Sequence, residues 1–242
     1  MIRRRSLPLT PLVFVALMAA LPECLALPTQ VTARYVMSAQ GLEVAQIRWR
    51  MALGGNGERI YESISESIGV ARLIRNETVT ERTRWQLIDG VVRPLEYTYT
   101  RRGGKRIRDA SVSFDWDGSS ALNTINGKTW RLKLTAGVQD KLSYLLSLMN
   151  HLERGERLER VQVTDGGKSK FYTFRYLNDE TLKTALGKID TVQVERRAEG
   201  DERVTLVWLA PTLDYFPVHM VHEEDGETVT IALDTVQGLT PP

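Results

Sequence analysis

The sequence predicts a mainly β protein: one strongly curved antiparallel sheet, a meander closed or half closed into a barrel, with one packed amphipathic helix. Turn-forming pairs such as Asp-Gly, Asn-Gly and Gly-Gly interrupt the chain at intervals of about 8 to 20 residues. The segments between them alternate apolar and polar residues and are rich in Val, Thr, Tyr, Trp and Ile. One segment has helical spacing instead. Together these patterns favour many hairpin-linked strands and a single helix.

The alternating segments are the predicted strands. In residues 43–51, one face consists of Ala45, Ile47, Trp49 and Met51. In residues 128–134, the apolar face consists of Trp130, Leu132 and Leu134. Asn126-Gly127 joins two such segments, and both residues tolerate the positive φ that a type I′ hairpin turn requires. We expect about eleven to thirteen strands, and a meander of that size must twist and curl.

The helical segment is residues 139–152, QDKLSYLLSLMNHL, followed by Gly155 as a stop. Its apolar face consists of Leu142, Leu145, Leu146, Met149 and Leu152, which we expect to pack on the open side of the sheet. The other face consists of Asp140, Ser143, Ser147, Asn150 and His151, which we expect to be solvated. A shorter segment, residues 69–74, is a candidate second helical turn.

Residues 1–26 have the layout of a secretory signal peptide, with three arginines, an apolar run and a small-x-small site. The run is about eleven residues, shorter than the roughly 20 that a helix needs to span a bilayer. We therefore expect cleavage near Ala26, a periplasmic location, and one β-rich domain over residues 27–242. Cys24 leaves lipid attachment open as an alternative, although Glu23 fits the lipid-attachment box poorly.

The charge balance gives no support for nucleic-acid binding. The chain has 32 Lys and Arg against 30 Asp and Glu, and the excess lies in residues 1–26. The single cysteine, Cys24, also lies there, so the predicted mature domain has no disulfide and depends on its core. We expect no transmembrane span after signal cleavage and no cofactor.

Several segments together resemble a bacterial exported family catalogued as domain of unknown function 3108. They are TARYVMSAQGLEVAQ, DGVVRPLEYTYTRRGGKR, FDW, QDKLSYLL and WLAPTLDYFPVHM. This resemblance implies no activity and no catalytic residue. A looser, fold-level resemblance is to periplasmic lipoprotein-carrier proteins, which share a late aromatic-turn-Pro-Val strand comparable to residues 215–218. It implies a curved sheet with helices on its concave side, and fold does not determine function.

Residues 114–118, FDWDG, are the first candidate for chemistry. On a strand, Asp115 and Asp117 share one face, roughly 7 Å apart, a gap that overlaps the spacing of glycosidase acid pairs. Trp116 points the other way, so it cannot stack on a sugar held between the acids. Asp117-Gly118 is itself a turn pair, and the residues after it lack the oxygen ligands of a calcium loop. We favour a strand end, with acid catalysis as the alternative.

Two histidine-containing patterns are weaker. Ser147 and His151 lie one helical turn apart beside Asp140, but side chains along one helix do not converge as a catalytic triad must. Asp140 is placed instead to serve the helix N-terminus, where unpaired amides favour a carboxylate. His219 and His222 are three residues apart in a predicted strand, so they face opposite ways and predict no metal site.

Two further groups are candidate binding residues. The basic run Arg101, Arg102, Lys105 and Arg106 either contacts lipid phosphates or forms a soluble hairpin tip that protects a sheet edge, and we favour the latter. The candidate ligand-binding residues are Trp49, Trp85, Trp130, Leu142, Leu145 and Leu146. They are expected to line a cavity if the sheet is half open.

The sequence favours a periplasmic binding or chaperone-like protein that holds an apolar or amphipathic envelope ligand, such as a lipid or lipoprotein-like molecule, without catalysis. Two alternatives stay open. One is a cell-envelope glycan hydrolase that uses Asp115 and Asp117. The other is an interaction scaffold that recruits another envelope protein.

Overall fold

The computed structural model describes residues 27–104, 107–165, 167, 169–224 and 226–239. The predicted signal peptide with Cys24, and Lys105 and Arg106 of the basic run, lie outside this part of the chain. The described residues form one antiparallel sheet, as the alternating pattern predicts.

The first half of the chain forms β1 to β8 and a short helix, α1. Their bounds are β1 Val31–Ala39, β2 Leu42–Leu53, β3 Arg59–Ser67, α1 Gly69–Ile74, β4 Glu77–Ile88, β5 Val91–Gly103, β6 Arg108–Asp115, β7 Ser120–Ile125 and β8 Lys128–Lys133. The second half forms α2 Ser143–Glu153, β9 Arg160–Thr164, β10 Ser169–Thr184, β11 Gly187–Ala198, β12 Val204–Ala210, a 3-10 turn Pro211–Leu213, β13 Phe216–Glu224 and β14 Glu227–Gln237. The described part of the chain thus has fourteen strands, more than predicted. The shortest strand, β9, has five residues, too few alternating positions to show the period.

The strand order is β8-β7-β6-β5-β4-β3-β2-β1-β14-β13-β12-β11-β10-β9. The chain therefore starts in the middle of the sheet, proceeds outward to β8, crosses to β9 at the other edge, and returns until β14 pairs with β1. Every connection except the crossover joins neighbours, as expected of a meander.

The two edges of the sheet do not pair with each other, but the crossover segment lies against one of them. The N–H of Gln139 donates to the carbonyl of Gln162 at 2.8 Å, and the N–H of Thr164 donates to the carbonyl of Gln139 at 2.9 Å. The Thr164 hydroxyl donates to Oδ1 of Asn123 on β7 at 3.2 Å. The two edge strands of the strongly curved sheet thus stay unpaired with each other, and the crossover segment covers the edge at β9.

The inner face of the sheet is lined by buried aromatic side chains. Tyr35 on β1 packs on Trp49 of β2 with ring centroids 4.4 Å apart, and Trp49 meets Tyr61 of β3 edge-on at 5.4 Å. Phe216 of β13 stacks near Tyr35 at 6.5 Å. These contacts cross the middle of the sheet and hold the two halves of the meander together.

Helix α2 lies inside the curve of the sheet, and the expectation of a solvated polar face is wrong. Tyr144 packs edge-on against Tyr172 of β10 at 5.2 Å, whereas the Asp140 carboxylate that precedes the helix contacts Thr83 on β4. The sheet surrounds the helix on both sides, so its polar residues Ser143, Ser147 and Asn150 are buried as well. Neither described helix is long and apolar enough to span a bilayer.

Two glycines with positive φ give a paired stability prediction. Gly127 (φ 83°), in the turn after Asn126, has open space where an added Cβ would lie, whereas a Cβ on Gly103 (φ 73°) would lie 2.0 Å from the carbonyl oxygen of Asn76. We expect Gly127→Ala to lower the free energy of unfolding by about 1–2 kcal/mol through backbone strain alone. Gly103→Ala adds a backbone clash and is expected to cost more. Urea denaturation measures both, and equal losses would contradict the close approach at Gly103.

Candidate functional site

Helix α2 fills one half of the concave interior. Near its C-terminal end, the Asn150 amide and the Arg154 guanidinium both donate to the carbonyl of Gly90 in the β4–β5 turn, at 2.8 and 3.1 Å. At its N-terminal end, Asp140 meets Thr83 in the middle of β4. The helix therefore covers the half of the inner face next to the β4–β5 turn.

The opposite half of the interior has no helix over it among the described residues. Its inward-facing side chains lie near the β3–β4 and β5–β6 connections, and they are only half-buried. We call this part of the interior the open half. Its lining consists of Met37, Ser65, Val79, Glu81, Tyr99 and Arg196. Apolar and charged groups are mixed in it.

Asp140 is fully buried between the N-terminal end of α2 and Thr83 of β4, next to the open half. Its Oδ1 accepts the N–H groups of Leu142 and Ser143 at 2.8 Å each, and its Oδ2 accepts the Thr83 hydroxyl at 2.6 Å. Burial raises the pKa of this carboxyl to about 6, although the hydrogen bonds favour the ionised form. The expectation that Asp140 serves the helix N-terminus is confirmed by these bonds.

On one side of the open half, two buried tyrosine hydroxyls lie near the carboxylate of Glu81. The Tyr97 hydroxyl donates to Oε1 of Glu81 at 2.5 Å. Burial raises the pKa of Tyr97, and the nearby Glu81 carboxylate raises it further. The Tyr61 hydroxyl is buried without a protein hydrogen-bond partner. A buried hydroxyl normally has a partner, so Tyr61 can hydrogen-bond to a bound molecule or a water.

On the other side of the open half, Arg196 of β11 contacts two aromatic rings and a hydroxyl. Its guanidinium carbon lies 4.5 Å from the ring centre of Tyr172 and 5.6 Å from that of Tyr144. The guanidinium also donates to the Thr205 hydroxyl, which lies 2.8 Å from Nδ1 of His222. A half-buried cation over two aromatic rings can pair with a polar or anionic group of a bound molecule.

The sequence-predicted ligand residues are mostly buried in the core. Trp49, Trp85, Leu142, Leu145 and Leu146 are buried in the core, with Trp85 and Leu146 at 1% and 0% exposure. Trp130 is half-buried on edge strand β8, on the same face as Asn123. Trp49 and Trp85 therefore share a wall, but Trp130 lies apart from them. Ligand contact by these six residues stays a prediction.

FDWDG occupies the end of β6 and the turn that follows. Oδ1 of Asp115 accepts the N–H of Gly118 at 2.8 Å, so this carboxylate holds the turn. Trp116 stacks on Phe114 with centroids 6.2 Å apart, and its indole N–H donates to the carbonyl of Pro94 at 2.8 Å. The favoured interpretation of a strand end is confirmed. Asp115 and Asp117 are both exposed.

The serine and histidine of α2 do not form a triad with Asp140. The ring Nδ1–H of His151 donates to the backbone carbonyl of Ser147 at 2.7 Å, and Asp140 is engaged at the other end of the helix. His219 instead packs against the ring of Trp208 at 5.0 Å. No group of three or more His, Cys, Asp or Glu suited to a metal ion occurs among the described residues.

The first two arginines of the basic run make ion pairs. Arg101 lies 3.1 Å from Glu77, and Arg102 lies 2.7 Å from Asp109. Both pairs are at the end of the β5–β6 hairpin, beside the open half. Their role in surface binding stays a prediction.

The sequence analysis missed a groove on the outer face of the sheet. The tip of the long β10–β11 hairpin folds over β13, β14 and β1, leaving a space of about 420 Å³. Apolar residues predominate in its lining, among them Val36, Leu182, Ala185, Val218 and Ala232. The register shift between Tyr176 and Asp179 redirects the hairpin, and a bulge of this kind has no distinct sequence signal.

The fold has counterparts among solved structures. A β-barrel-like protein of unknown function (DUF1849) from Brucella abortus superposes with a TM-score of 0.58 at 9% identity, covering 87% of this chain and 98% of that one. A lipoprotein from Parabacteroides distasonis is similar with a TM-score of 0.36, 8% identity and coverage of 86% and 95%. An outer membrane lipoprotein-sorting protein domain from Vibrio parahaemolyticus reaches 0.28, 10% identity and coverage of 86% and 85%.

No curated protein matches this chain. Residues 34–234, which include every named residue of the open half, match a family described as protein of unknown function (DUF3108). The chain belongs to the DUF3108 family.

Proposed function

We propose that this protein is a periplasmic binding or chaperone-like protein that holds an apolar or amphipathic envelope ligand in the open half of its sheet, without catalysis. The observation that carries the proposal is the uncovered half of a strongly curved sheet, in which inward-facing side chains are only half-buried. The signal-like residues 1–26 support the location.

The lining of the open half fits an amphipathic molecule, which has an apolar part and a polar or anionic part. Met37 and Val79 offer apolar contact, and Arg196 with Tyr172 offers a cation and a ring face. Ligand sites commonly combine apolar walls with a few placed polar groups. A lipid or a lipoprotein-like acyl segment has this combination.

The test is native mass spectrometry of the protein purified gently from a periplasmic extract, followed by titration with a fluorescent long-chain fatty acid. We expect an adduct of lipid-like mass that disappears on unfolding, and saturable uptake of the probe. Val79→Glu places a charge in the open half and is expected to weaken uptake by about tenfold, because an uncompensated charge repels an acyl chain.

Leu182→Glu is the matched control, because it places the same charge in the half-buried lining of the outer groove. We expect it to leave uptake unchanged. If Leu182→Glu abolishes uptake and Val79→Glu does not, the ligand lies in the outer groove and the proposed site is wrong. No adduct and no uptake by the wild-type protein would contradict the carrier function itself.

The glycan-hydrolase alternative has less support, because Asp115 already accepts the turn N–H of Gly118. It predicts that Asp115→Asn with Asp117→Asn abolishes hydrolysis of an envelope polysaccharide. Activity that persists in this double variant removes the alternative.

A further inference from the structure

Helix α1 has its apolar side turned outward. Its apolar residues Val70, Leu73 and Ile74 follow the i, i+3, i+4 spacing of one helix face, yet their side chains are 67%, 87% and 83% exposed. No residue of α1 is buried. A short helix of this pattern normally packs its apolar face on the core, so this exposed face requires another explanation.

The position of α1 is fixed by the backbone rather than by its side chains. The N–H of Ile68 donates to the carbonyl of Val44 at 3.0 Å, which anchors the helix beside the start of β2. Inside the helix, Arg75 N–H donates to the carbonyl of Ala71 at 2.8 Å. The apolar side chains of α1 therefore project from a backbone segment that these hydrogen bonds keep in place.

More exposed apolar residues lie on neighbouring connections at the same end of the sheet. Leu42, at the start of β2, is 67% exposed, and Ile107, just before β6, is 69% exposed. With the three from α1 they form a group that we call the apolar rim: Leu42, Val70, Leu73, Ile74 and Ile107. This end of the sheet is also the mouth of the open half.

Basic residues lie along one side of the apolar rim. The described residues of 68–76 and 101–108 include five arginines and no acidic residue: Arg72, Arg75, Arg101, Arg102 and Arg108. The two segments are adjacent, since Glu77 pairs with Gly103 across β4 and β5, and a Cβ on Gly104 would lie 3.6 Å from Cγ of Arg75. The two acids next to them, Glu77 and Asp109, are already paired with arginines. This side of the end is therefore locally cationic, whereas the β11–β12 and β13–β14 turns at the same end carry acidic residues such as Asp201, Glu202 and Glu227.

We propose that the apolar rim and its neighbouring arginines dock the β3–β4 and β5–β6 side of the mouth on an anionic lipid bilayer. Leu73 and Ile74 would enter the boundary between headgroups and acyl chains, and Arg72 with Arg102 would contact lipid phosphates. Exposed apolar groups ringed by Lys and Arg are the combination that interfacial membrane binding uses. The charge complementarity selects an anionic membrane, and the docking stands whether or not the open half holds a cargo.

The test is co-sedimentation of the purified mature protein, residues 27–242, with vesicles of phosphatidylglycerol and phosphatidylcholine, compared with phosphatidylcholine alone. We expect binding to the anionic vesicles that weakens as salt is raised. The double variant Leu73→Ser with Ile74→Ser is expected to lower the partition coefficient about tenfold or more. Arg72→Glu should lower it on anionic vesicles and leave the weak binding to neutral vesicles unchanged.

Leu53→Ser is the matched control, because Leu53 is 55% exposed at the opposite end of the sheet. We expect it to bind vesicles as the wild type does. The rim variants should unfold at the wild-type temperature, since no α1 side chain is buried, so their loss of binding cannot come from misfolding.

A fluorophore attached through Leu73→Cys reports the contact directly. Its emission should shift to the blue on anionic vesicles, while the same label at Leu53→Cys should not respond. Equal vesicle binding by the wild type and the double rim variant overturns the proposal. So does absence of vesicle binding together with cross-linking of position 73 to an envelope protein, which assigns the rim to a protein partner.

Discussion

Relative to the Asp140→Asn variant, the wild-type protein should lose about 3 kcal/mol of unfolding free energy as the pH rises from about 3 to about 7. Burial raises the pKa of Asp140 from 3.8 to about 6 in the folded protein. A carboxyl whose pKa is raised by folding stabilises the folded state while protonated. That contribution is complete below the unfolded pKa, and it is lost as the pH rises through the folded one.

Asp140→Asn is the appropriate reference because an amide keeps the cap. Its Oδ1 can still accept the N–H groups of Leu142 and Ser143, and its NH₂ can donate to Thr83. All other titrating groups are shared, so the difference between the two urea-unfolding curves across pH isolates Asp140. Thr83→Val should extend the loss to higher pH, because the hydroxyl bond lowers the pKa. Parallel pH curves for wild type and Asp140→Asn would contradict the raised pKa.

Leu146→Ala should lower the free energy of unfolding by about 2–5 kcal/mol. Leu146 is 0% exposed on α2, where the sheet surrounds the helix, so removing its side chain leaves a cavity that the neighbours cannot fill. Urea denaturation measures the change, and the m-value should stay constant because the folded state remains compact.

Leu73→Ala is the control for Leu146→Ala. It removes the same atoms from a helix, but Leu73 is 87% exposed, so we expect a change within about 0.5 kcal/mol. A loss at Leu146 as small as that at Leu73 would mean that α2 is not enclosed by the sheet.

The sequence predicted most of the local structure. Period-two alternation locates strands such as β2, and Asn126-Gly127 forms the expected turn with φ values of 47° and 83°. Residues 69–74 form the expected short helix, and the helical spacing near residue 143 corresponds to α2. These features depend on neighbours close in the chain, so a local pattern is enough to predict them.

The candidate site was less predictable. Trp49 and Trp85 were expected to line a cavity, and both are buried in the core. The side chains that line the open half, such as Glu81 and Arg196, come from strands distant in sequence. A charged residue in an alternating strand is usually read as solvent-facing, so no sequence signal places Glu81 on the inner face.

By itself, the sequence determined that this protein is a β meander with one long amphipathic helix, because the period of apolar residues dictates which side chains share a face. It did not determine whether each face contacts solvent or another part of the protein. Whether the polar side of α2 is solvated, which half of the sheet stays uncovered, and whether the apolar face of α1 is buried all depend on how far fourteen strands curl. That curl is the sum of the twists and register shifts at every strand pair of the sheet, so only the tertiary structure decides it.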